Sequence, residues 1–356
     1  MSRETIAIVS DSTGFGGAEL YLANLVSKLN GEWRFVALLG DQADEETRRR
    51  IGAAGAELIA IPDLRRIPRI SSIARMVRAL RALNPTLVHV NLTDQGDGLG
   101  PLIAARLARR QIVATLNLVI PKRAKWRERV SSWALRQADI VICVSKSVAA
   151  YASPKGARTS LVMYGIDEPE LVSDPRAALG LSPTKFIVGG IGRLHHQKGW
   201  DTLCRAATLV RESLPEVEFA VIGDGPEWES LAHSSSCADV QFLGYREQAS
   251  SFVRAFDVLV VPSRYEAFGF VALEAMYAGV AVIASEIGGL PEVVADSGAL
   301  IPPDRPDLLA RAIIDLARDP IARSAYAEKA VDRARSLFTR ERMALETSNV
   351  YRSVAK

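Results

Sequence analysis

The segment Asp257-Val-Leu-Val-Val-Pro-Ser-Arg-Tyr-Glu-Ala-Phe-Gly-Phe-Val-Ala-Leu-Glu274 carries the pattern that decides the fold of this chain. Its first residues form a short apolar run, which is typical of a strand buried in a parallel sheet. Residues 271–278 are good helix formers, so the segment predicts a strand that turns into a helix. Glu266 lies in that turn. In an open α/β sheet such turns lie at the carboxyl ends of the strands, where ligands bind.

The start of the helix after Glu266 predicts an anion site. Backbone N–H groups at a helix N-terminus attract negative charge, and the residues that carry them here are Phe268, Gly269 and Phe270. Glu274 follows one or two turns later and is expected to face the same crevice. Two glutamates eight residues apart are common by chance, so this spacing needs support from the rest of the chain.

Short apolar runs alternate with helical patterns on both sides of this segment, which is typical of doubly wound parallel α/β sheets. The strands predicted in the first half are Thr5–Ser10, Trp33–Leu39, Ala56–Ile61, Thr86–Asn91, Gln111–Leu116 and Asp139–Val144. Those predicted in the second half are Phe186–Gly190, Glu218–Gly223, Val240–Leu243, Asp257–Val261 and Val280–Ala284. Between the two series, Asp, Gly and Pro cluster in residues 164–175 without apolar periodicity. We place a linker there, followed by a short helix over residues 175–181.

The composition is that of a large globular enzyme. The chain has 356 residues, 48% of them hydrophobic, which is enough for two ordinary cores. No apolar run approaches the roughly eighteen residues of a membrane-spanning helix, and Thr5–Val9 is too short for a signal-peptide core, so a cytoplasmic location is expected. Cys143, Cys204 and Cys237 lack metal-binding spacing and are expected to pack as small apolar residues.

Positive charge is concentrated in the N-terminal half. Residues 1–165 carry 24 Lys and Arg against 14 Asp and Glu, and the remainder carries 20 against 27. Much of the excess lies in residues 65–81 and 122–129, where Arg and Lys alternate with apolar residues at roughly helical intervals. Such stretches either contact an anionic membrane surface or an anionic acceptor, or are solvated helix faces. Nucleic acid is not expected as a partner, because no zinc-finger, RNP or basic-zipper pattern occurs.

Other nucleotide and metal sites do not fit the sequence. The third glycine of the dinucleotide pattern is replaced by Glu19 in one glycine-rich turn and by His195 in another, and no P-loop occurs. His195 and His196 are adjacent, so they share no helix or strand face, and no carboxylate cluster accompanies them. No metal and no other cofactor is expected.

The spacing of Glu266 and Glu274 resembles the Glu-x7-Glu element of the retaining glycosyltransferases of family 4, which have the GT-B fold of two facing Rossmann-like domains. Further elements resemble that family in the same order along almost the whole chain. They are Gly14-Phe-Gly-Gly-Ala-Glu19, Gly192-Arg-Leu-His-His-Gln-Lys-Gly199 and the loops 221–226, 242–245 and 287–292.

The resemblance implies an active site in the cleft between two domains. Residues 1–165 would form an acceptor-binding domain, onto which a C-terminal helix of about 340–356 packs back, and residues 166–339 would bind a nucleotide sugar. The implied reaction moves a sugar from a nucleotide diphosphate, most often UDP, to a hydroxyl of a glycan, lipid-linked or small-molecule acceptor, with retention of anomeric configuration. No metal is implied, because protein cations and helix N-termini neutralise the diphosphate.

The resemblance also implies roles for single residues. Glu266 would hold hydroxyls of the donor sugar, Arg193 and Lys198 would neutralise the diphosphate, and Glu274 would bind the ribose hydroxyls. Further residues implied at the donor are Gly16, Gly17, Gly192, Asn117, Phe268, Gly269, Phe270 and Gly244. Residues implied at the acceptor are Asp94, Asp97 and Asn117. Simpler explanations exist for each class, because glycines also allow tight turns and charged residues are often only solvated.

Two positions depart from the family pattern. Asn117 stands where many members have a histidine near the outer hydroxyls of the donor sugar, which leaves the donor open. Tyr164 replaces the asparagine that usually precedes Gly165 at the linker, so the loop there is expected to differ locally.

Two other functions remain open from the sequence. A non-hydrolysing sugar-nucleotide epimerase would share the fold, although the Glu-x7-Glu segment argues against it. A catalytically inactive sugar-nucleotide-binding protein would keep its function when Glu266 or Lys198 is substituted, whereas a transferase would lose turnover.

Overall fold

The structure, a computed structural model, describes residues 3–14, 16–61, 69–121 and 124–355. Parts of the two predicted basic stretches, residues 65–68 and 122–123, lie outside the described residues, as does Phe15 of the glycine loop. The chain divides into two compact units, Met1–Ile166 with Thr339–Lys356 and Asp167–Phe338. In the described ranges, no helix combines the length and the hydropathy that crossing a bilayer requires.

The first unit contains a parallel sheet in the order β3-β2-β1-β4-β5-β6-β7. Its strands are β1 (Thr5–Ser10), β2 (Arg34–Gly40), β3 (Glu57–Ile61), β4 (Leu87–Leu92), β5 (Gln111–Leu116), β6 (Ile140–Cys143) and β7 (Thr159–Leu161). Its helices are α1 (Gly17–Leu29), α2 (Glu45–Ala53), α3 (Ile70–Leu83), α4 (Leu99–Leu107), α5 (Lys125–Leu135) and α6 (Lys146–Ala152). Strand β4 is buried along its whole length, as expected for a strand covered on both faces. The strand order reverses between β1 and β4, so the loops that follow these two strands border the crevice where such sheets bind ligands.

The second unit repeats this architecture with the order β10-β9-β8-β11-β12-β13. Its strands are β8 (Ile187–Ile191), β9 (Glu218–Ile222), β10 (Val240–Phe242), β11 (Val258–Val261), β12 (Ala281–Ser285) and β13 (Ala299–Ile301). Its helices are α7 (Pro175–Leu179), α8 (Trp200–Arg211), α9 (Trp228–Ala232), α10 (Phe270–Tyr277), α11 (Leu290–Val294), α12 (Pro306–Arg318) and α13 (Pro320–Leu337). Here the order reverses between β8 and β11.

The last helix, α14 (Arg340–Val354), belongs to the first unit. Thr339 begins it by accepting a hydrogen bond from the backbone N–H of Arg342, which is the usual role of an N-cap threonine. The phenol of Tyr351 is fully buried and lies 2.5 Å from Nδ1 of His89 on β4. The chain therefore leaves the first unit at residue 166 and returns to its core at the end.

All eleven strands predicted from the sequence are confirmed, each to within one residue at either end. The short helix predicted after the linker is also confirmed, as α7. Two three-residue strands, β7 and β13, were not predicted. The expectation for the cysteines was wrong for two of them, because Cys204 and Cys237 form a disulfide, whereas Cys143 is buried and free.

Candidate functional site

Two loops meet at the point where the strand order of the second unit reverses. Residues 192–199 follow β8, and residues 262–269 follow β11. The backbone N–H of Arg264 donates to the carbonyl of Gln197 at 2.8 Å, and the Gln197 side chain donates to the carbonyl of Tyr265 at 3.0 Å. These bonds hold the two loops together.

Lys198 and Glu266 form an ion pair across these loops. The Lys198 ammonium donates to Oε2 of Glu266 at 2.6 Å, and the hydroxyl of Ser263 lies 3.5 Å from the same oxygen. The two side chains are only 23% and 14% exposed, so the pair is partly shielded from water. The structure thus brings together two predicted site residues that are 68 positions apart.

Arg193 is the other predicted cation of this loop, and it is exposed. Its backbone carbonyl accepts a hydrogen bond from the indole N–H of Trp200 at 2.9 Å. Trp200 is itself almost fully buried and is the first residue of α8, so it fixes the loop to the helix. The loop backbone is held in place while the Arg193 side chain projects outward.

Glycines let the strand ends of this unit approach one another. A Cβ on Gly223, after β9, would lie 2.0 Å from the carbonyl oxygen of Gly192, and the N–H of Gly223 donates to Gly244 at 3.0 Å. Gly288 has a φ of +61°, and its Cβ would lie 1.6 Å from the carbonyl oxygen of Glu266. Gly288 therefore has a packing role against the loop that carries Glu266, and larger residues are excluded there.

The residues predicted to bind an anion, 268–270, lie at the N-terminus of α10. Gly269 caps this helix with a φ of +106°, and the first intrahelical bond runs from the N–H of Leu273 to Gly269. The N–H groups of residues 270–272 precede that bond and point out of the helix end. Phe268 is buried and packs edge-on against the ring of Phe270, with centroids 5.6 Å apart. The phenylalanines thus support the turn, and their backbone forms the helix end.

Glu274 lies on α10, half-buried, beside the irregular segment that precedes β11. Burial raises the pKa of its carboxyl group to about 7, and a hydrogen bond from the hydroxyl of Ser250 acts in the opposite direction. Ser250 was not predicted as a site residue. With a pKa of about 7, the carboxyl group of Glu274 changes from its protonated to its ionised form near neutral pH.

Arg264 is a residue of this site that was not predicted from the sequence. Its guanidinium pairs with Asp201 at 2.7 Å and with Asp304 at 2.8 Å, and it donates to the carbonyl of His196 at 2.9 Å. One half-buried cation therefore connects both loops to α8. Its position two residues before Glu266 was the signal available in the sequence.

The predicted glycine loop of the first unit lies at the other reversal point. Gly16 and Gly17 are exposed, and α1 starts there. A Cβ on Gly16 would meet only Oε2 of Glu19, at an ordinary 3.5 Å, and its φ of −161° is extended backbone that any residue adopts. Neither crowding nor strain therefore requires glycine at position 16, in contrast to Gly288.

Glu19 is buried in the first turn of α1, with 2% exposure. Burial raises the pKa of its carboxyl group, partly offset by a hydrogen bond from Ser12. Among the described residues, its Oε1 has no hydrogen-bond partner. In the sequence, Glu19 stands out only as a replacement for a third glycine, which does not predict its burial.

Asp94 and Asp97, predicted to contact the acceptor, lie together in the loop after β4. Oδ1 of Asp94 accepts from the N–H of Gly96 at 2.6 Å, and Oδ2 of Asp97 accepts from the N–H of Asp94 at 3.2 Å. Asp94 is 6% exposed. Both carboxylates thus stabilise their own loop, and Asp97 is the more accessible of the two.

Asn117 is turned into the first unit. Its amide N–H2 donates to Oδ1 of Asn91 at 2.7 Å and to the carbonyl of Leu92 at 2.8 Å, and its Oδ1 accepts from the hydroxyl of Tyr164. The residue is 6% exposed. The amide N–H groups are thereby occupied, which argues against the predicted contacts of Asn117 with donor and acceptor. The two departures from the family pattern, at positions 117 and 164, contact each other.

His195 caps the short helical turn that begins at His196. Nδ1 of His195 accepts from the N–H of Gln197 at 3.1 Å, as a helix cap does. Within the described ranges there is no group of three or more His, Cys, Asp or Glu side chains arranged to hold a metal ion.

Comparison with known proteins agrees with the geometry of both units. Residues 15–168 match the sequence family Glycosyltransferase Family 4, and residues 185–319 match the family Glycosyl transferases group 1. The chain is 31% identical over 259 residues to a lipopolysaccharide core biosynthesis mannosyltransferase of Rhizobium leguminosarum bv. viciae, covering 67% of this chain and 72% of that protein. The chain belongs to glycosyltransferase family 4.

Solved structures of similar proteins share the fold of this family 4 glycosyltransferase. Sucrose-phosphate synthase from Thermosynechococcus elongatus superposes with a TM-score of 0.81, at 26% identity and over 99% of both chains. The Anabaena protein HepE, crystallised with UDP-glucose, superposes with a TM-score of 0.84, at 24% identity and over 98% of this chain and 99% of its own. The GT-B fold predicted from the sequence is confirmed.

Proposed function

We propose that this family 4 glycosyltransferase is a retaining, hexosyltransferase-like enzyme that uses a nucleotide-diphosphate sugar, UDP-linked in the first instance. The observation that carries the proposal is the meeting of Lys198 and Glu266 at 2.6 Å at the reversal point of the second sheet. A cation and a carboxylate lie there beside the N-terminus of α10, where an open α/β sheet binds its ligand. The UDP-glucose bound by HepE supports the choice of nucleotide.

The proposed donor site separates the two charges that develop during transfer. Breaking the bond between the sugar and the diphosphate leaves negative charge on the phosphate and positive charge on the sugar ring. Arg193, Lys198 and the N–H groups of residues 270–272 would neutralise the phosphate, and each preorganised donor of this kind contributes a few kcal/mol. Because protein groups supply this charge, we propose that the enzyme needs no metal ion and no other cofactor.

Glu266 and Glu274 would orient the donor. Glu266 accepts hydrogen bonds from hydroxyls of the sugar, and the half-buried Glu274 accepts them from the ribose of the nucleotide. Lys198 already pairs with Glu266. When the donor binds, the Lys198 ammonium would therefore share its hydrogen bonds between the Glu266 carboxylate and the diphosphate. Attack on the same face of the sugar that the phosphate leaves, with the phosphate oxygen taking the proton of the acceptor hydroxyl, would retain the configuration.

The first unit would hold the acceptor. Gly16 and Gly17, which the family resemblance implies at the donor, are exposed without a packing reason for glycine at position 16, which favours close approach of a ligand to that backbone. Asp97 is the more accessible acceptor candidate of its loop. A glycan or lipid-linked acceptor is favoured by the relative that builds lipopolysaccharide core and by the basic charge of residues 1–165. We also propose a cytoplasmic enzyme that contacts the inner face of the membrane peripherally.

Calorimetry on the whole chain tests the donor site. Purified protein is titrated with UDP, GDP, ADP and TDP, without metal and then with magnesium. We expect one nucleotide to bind selectively without metal and to bind at least tenfold more weakly to Lys198→Ala, since a hydrogen-bonded charge contributes about 1.5–3 kcal/mol. Lys185→Ala is the matched control, because this lysine is also paired with a glutamate, Glu218. It lies just before β8, at the amino ends of the strands and not at the carboxyl ends where the proposed site lies. Absence of binding by every nucleotide would refute the site.

Glu266→Gln separates binding from turnover. The variant frees Lys198 from its carboxylate partner, so binding of the bare nucleotide is expected to remain or tighten. Transfer of sugar is expected to fall by two orders of magnitude or more, since the hydroxyl contact is needed at the reacting sugar. Turnover is followed by nucleotide release, and NMR of the first-formed product gives its anomeric configuration. Unchanged turnover in Glu266→Gln would contradict this role of Glu266, and nucleotide binding without any turnover in the unmodified protein would favour a protein that only binds the nucleotide sugar.

A further inference from the structure

The outward side of helix α5 carries an exposed apolar stripe. Trp126, Val130 and Trp133 follow one another at spacings of four and three residues, so they lie on one side of the helix. They are 63%, 40% and 43% exposed. The residues that α5 buries against the unit are Ser131, Ala134 and Leu135. Aromatic side chains of this size are usually buried, so two exposed tryptophans on one short helix need an explanation.

The charges around the stripe are positive. Lys125, Arg127 and Arg129 are exposed on the same helix, and the Arg127 guanidinium lies 5.3 Å from the centroid of the Trp126 ring. The acidic residue of the helix, Glu128, is half-buried, and its carboxylate accepts a hydrogen bond from the hydroxyl of Tyr151 at 2.8 Å. The ammonium of Lys155 is 3.8 Å from that carboxylate. The exposed side of α5 therefore presents tryptophan, valine and cations together.

This combination selects one kind of partner. Tryptophan rings are favoured at the boundary between lipid headgroups and acyl chains, because one edge of the indole is apolar and its N–H is polar. Lysine and arginine beside them attract the anionic lipids of a membrane surface, each by about 1 kcal/mol. A helix with an apolar stripe and basic flanks lies in the plane of such an interface. A soluble acidic partner would use the cations but would not require the tryptophans.

We propose that the side of α5 formed by Trp126, Val130 and Trp133, with Lys125, Arg127 and Arg129, is a docking surface for an anionic phospholipid bilayer. The three apolar side chains enter the headgroup region, and the cations bind lipid phosphates. For a lipid-linked acceptor this docking would bring the first unit to its substrate, and only this consequence rests on the proposed function. Docking itself requires neither donor nor transfer.

Vesicle binding tests the surface directly. The full chain is sedimented with vesicles of phosphatidylcholine alone, or of phosphatidylcholine with one third phosphatidylglycerol, and tryptophan emission is recorded. We expect binding only to the anionic vesicles, weakening as salt is raised, with a blue shift of the emission. The shift is informative because Trp33 and Trp200 are buried, 5% and 2% exposed, and Trp228 is half-buried. Absence of binding to both vesicles would overturn the proposal.

Two double variants locate the binding. Trp126→Ser with Trp133→Ser, and Lys125→Glu with Arg129→Glu, are each expected to weaken vesicle binding tenfold or more. The apolar control is Ile321→Ser with Leu345→Ser, since these residues are 81% and 59% exposed on other helices. The charge control is Arg311→Glu with Arg318→Glu on α12, and both controls should bind as the unmodified protein does. Equal losses in the controls and the α5 variants would overturn the proposal.

Nucleotide binding and oligomeric state distinguish membrane docking from misfolding and from self-association. Nucleotide binding by the α5 variants should be unchanged, which shows that they are folded and separates this surface from the donor site. Sedimentation equilibrium without vesicles should show the same oligomeric state for the protein and for the tryptophan variant. A dimer that is lost with Trp126→Ser and Trp133→Ser would overturn the proposal in favour of a second copy of this chain as the partner.

Discussion

Glu274 shows how a single carboxyl group connects stability with binding. Its pKa of about 7 is above the 4.5 of an ordinary glutamate because the group is removed from water. The folded protein therefore favours the protonated form. The resulting destabilisation is absent below about pH 4.5, grows as the pH rises from about 4.5 to about 7, and is complete above about pH 7.

Glu274→Gln should accordingly stabilise the protein at pH 8 and leave it unchanged near pH 4.5. The gain has an upper bound of about 3 kcal/mol from the size of the shift, reduced because the group is only half-buried. Urea unfolding at both pH values measures it, with the exposed Glu328→Gln as control. If Glu274 binds the ribose, the variant should also bind nucleotide more weakly at pH 8. A stability difference that does not change with pH would contradict the raised pKa.

The sequence alone could not predict which side chains of the site contact each other. Lys198 and Glu266 were assigned to one site only through a family resemblance, because apolar periodicity carries no information about side chains 68 positions apart. The same periodicity could not pair Cys204 with Cys237, which lie 33 residues apart. The direction of Asn117 depends on Asn91 and Tyr164, neither of which is near it in sequence.

At the scale of elements, the strands were predictable because most of them are buried on both faces. Such strands appear in the sequence as continuous apolar runs, and β4, β8 and β11 are examples. Strands β7 and β13, which were not predicted, have three residues each and lie at the edges of their sheets. Strand β10 is equally short and also lies at an edge, yet it was predicted, so length and edge position alone do not explain why β7 and β13 were missed.

Two elements of the first unit are coupled through one buried hydrogen bond. The hydroxyl of Tyr164, in the segment after β7, donates to Oδ1 of Asn117 after β5. Tyr164→Phe should cost about 1–2 kcal/mol of unfolding free energy in the unmodified protein, because it leaves a buried amide oxygen without this donor. In the Asn117→Ala background the same change should cost almost nothing.

A double-mutant cycle by urea unfolding measures this coupling. Tyr351→Phe is the control, since its buried hydroxyl contacts His89 and not Asn117. Its cost should be the same in both backgrounds. Equal costs of Tyr164→Phe with and without Asn117 would show that the two departures from the family pattern are independent.

At the scale of the whole molecule, Gly165 connects the point where the chain leaves the first unit with the point where it returns. A Cβ on Gly165 would lie 2.0 Å from the carbonyl oxygen of Thr339, the N-cap of α14. Backbone is the obstacle, so no side chain can rotate away. The N–H of Gly165 is also 3.3 Å from the sulfur of Met343 on the same helix.

Gly165→Ala is therefore expected to loosen α14 and lower the unfolding free energy of the first unit by about 1–3 kcal/mol, as overpacking of a buried site does. Calorimetric unfolding measures the loss, and proteolysis near residue 339 should become faster. Gly31→Ala is the control, because its Cβ would meet no atom within 4 Å and its φ is not positive. Nucleotide affinity should survive in Gly165→Ala, since Lys198, Glu266 and Glu274 belong to the second unit. If Gly165→Ala lost nucleotide binding while the unfolding free energy of the first unit stayed the same, both parts of this prediction would be wrong.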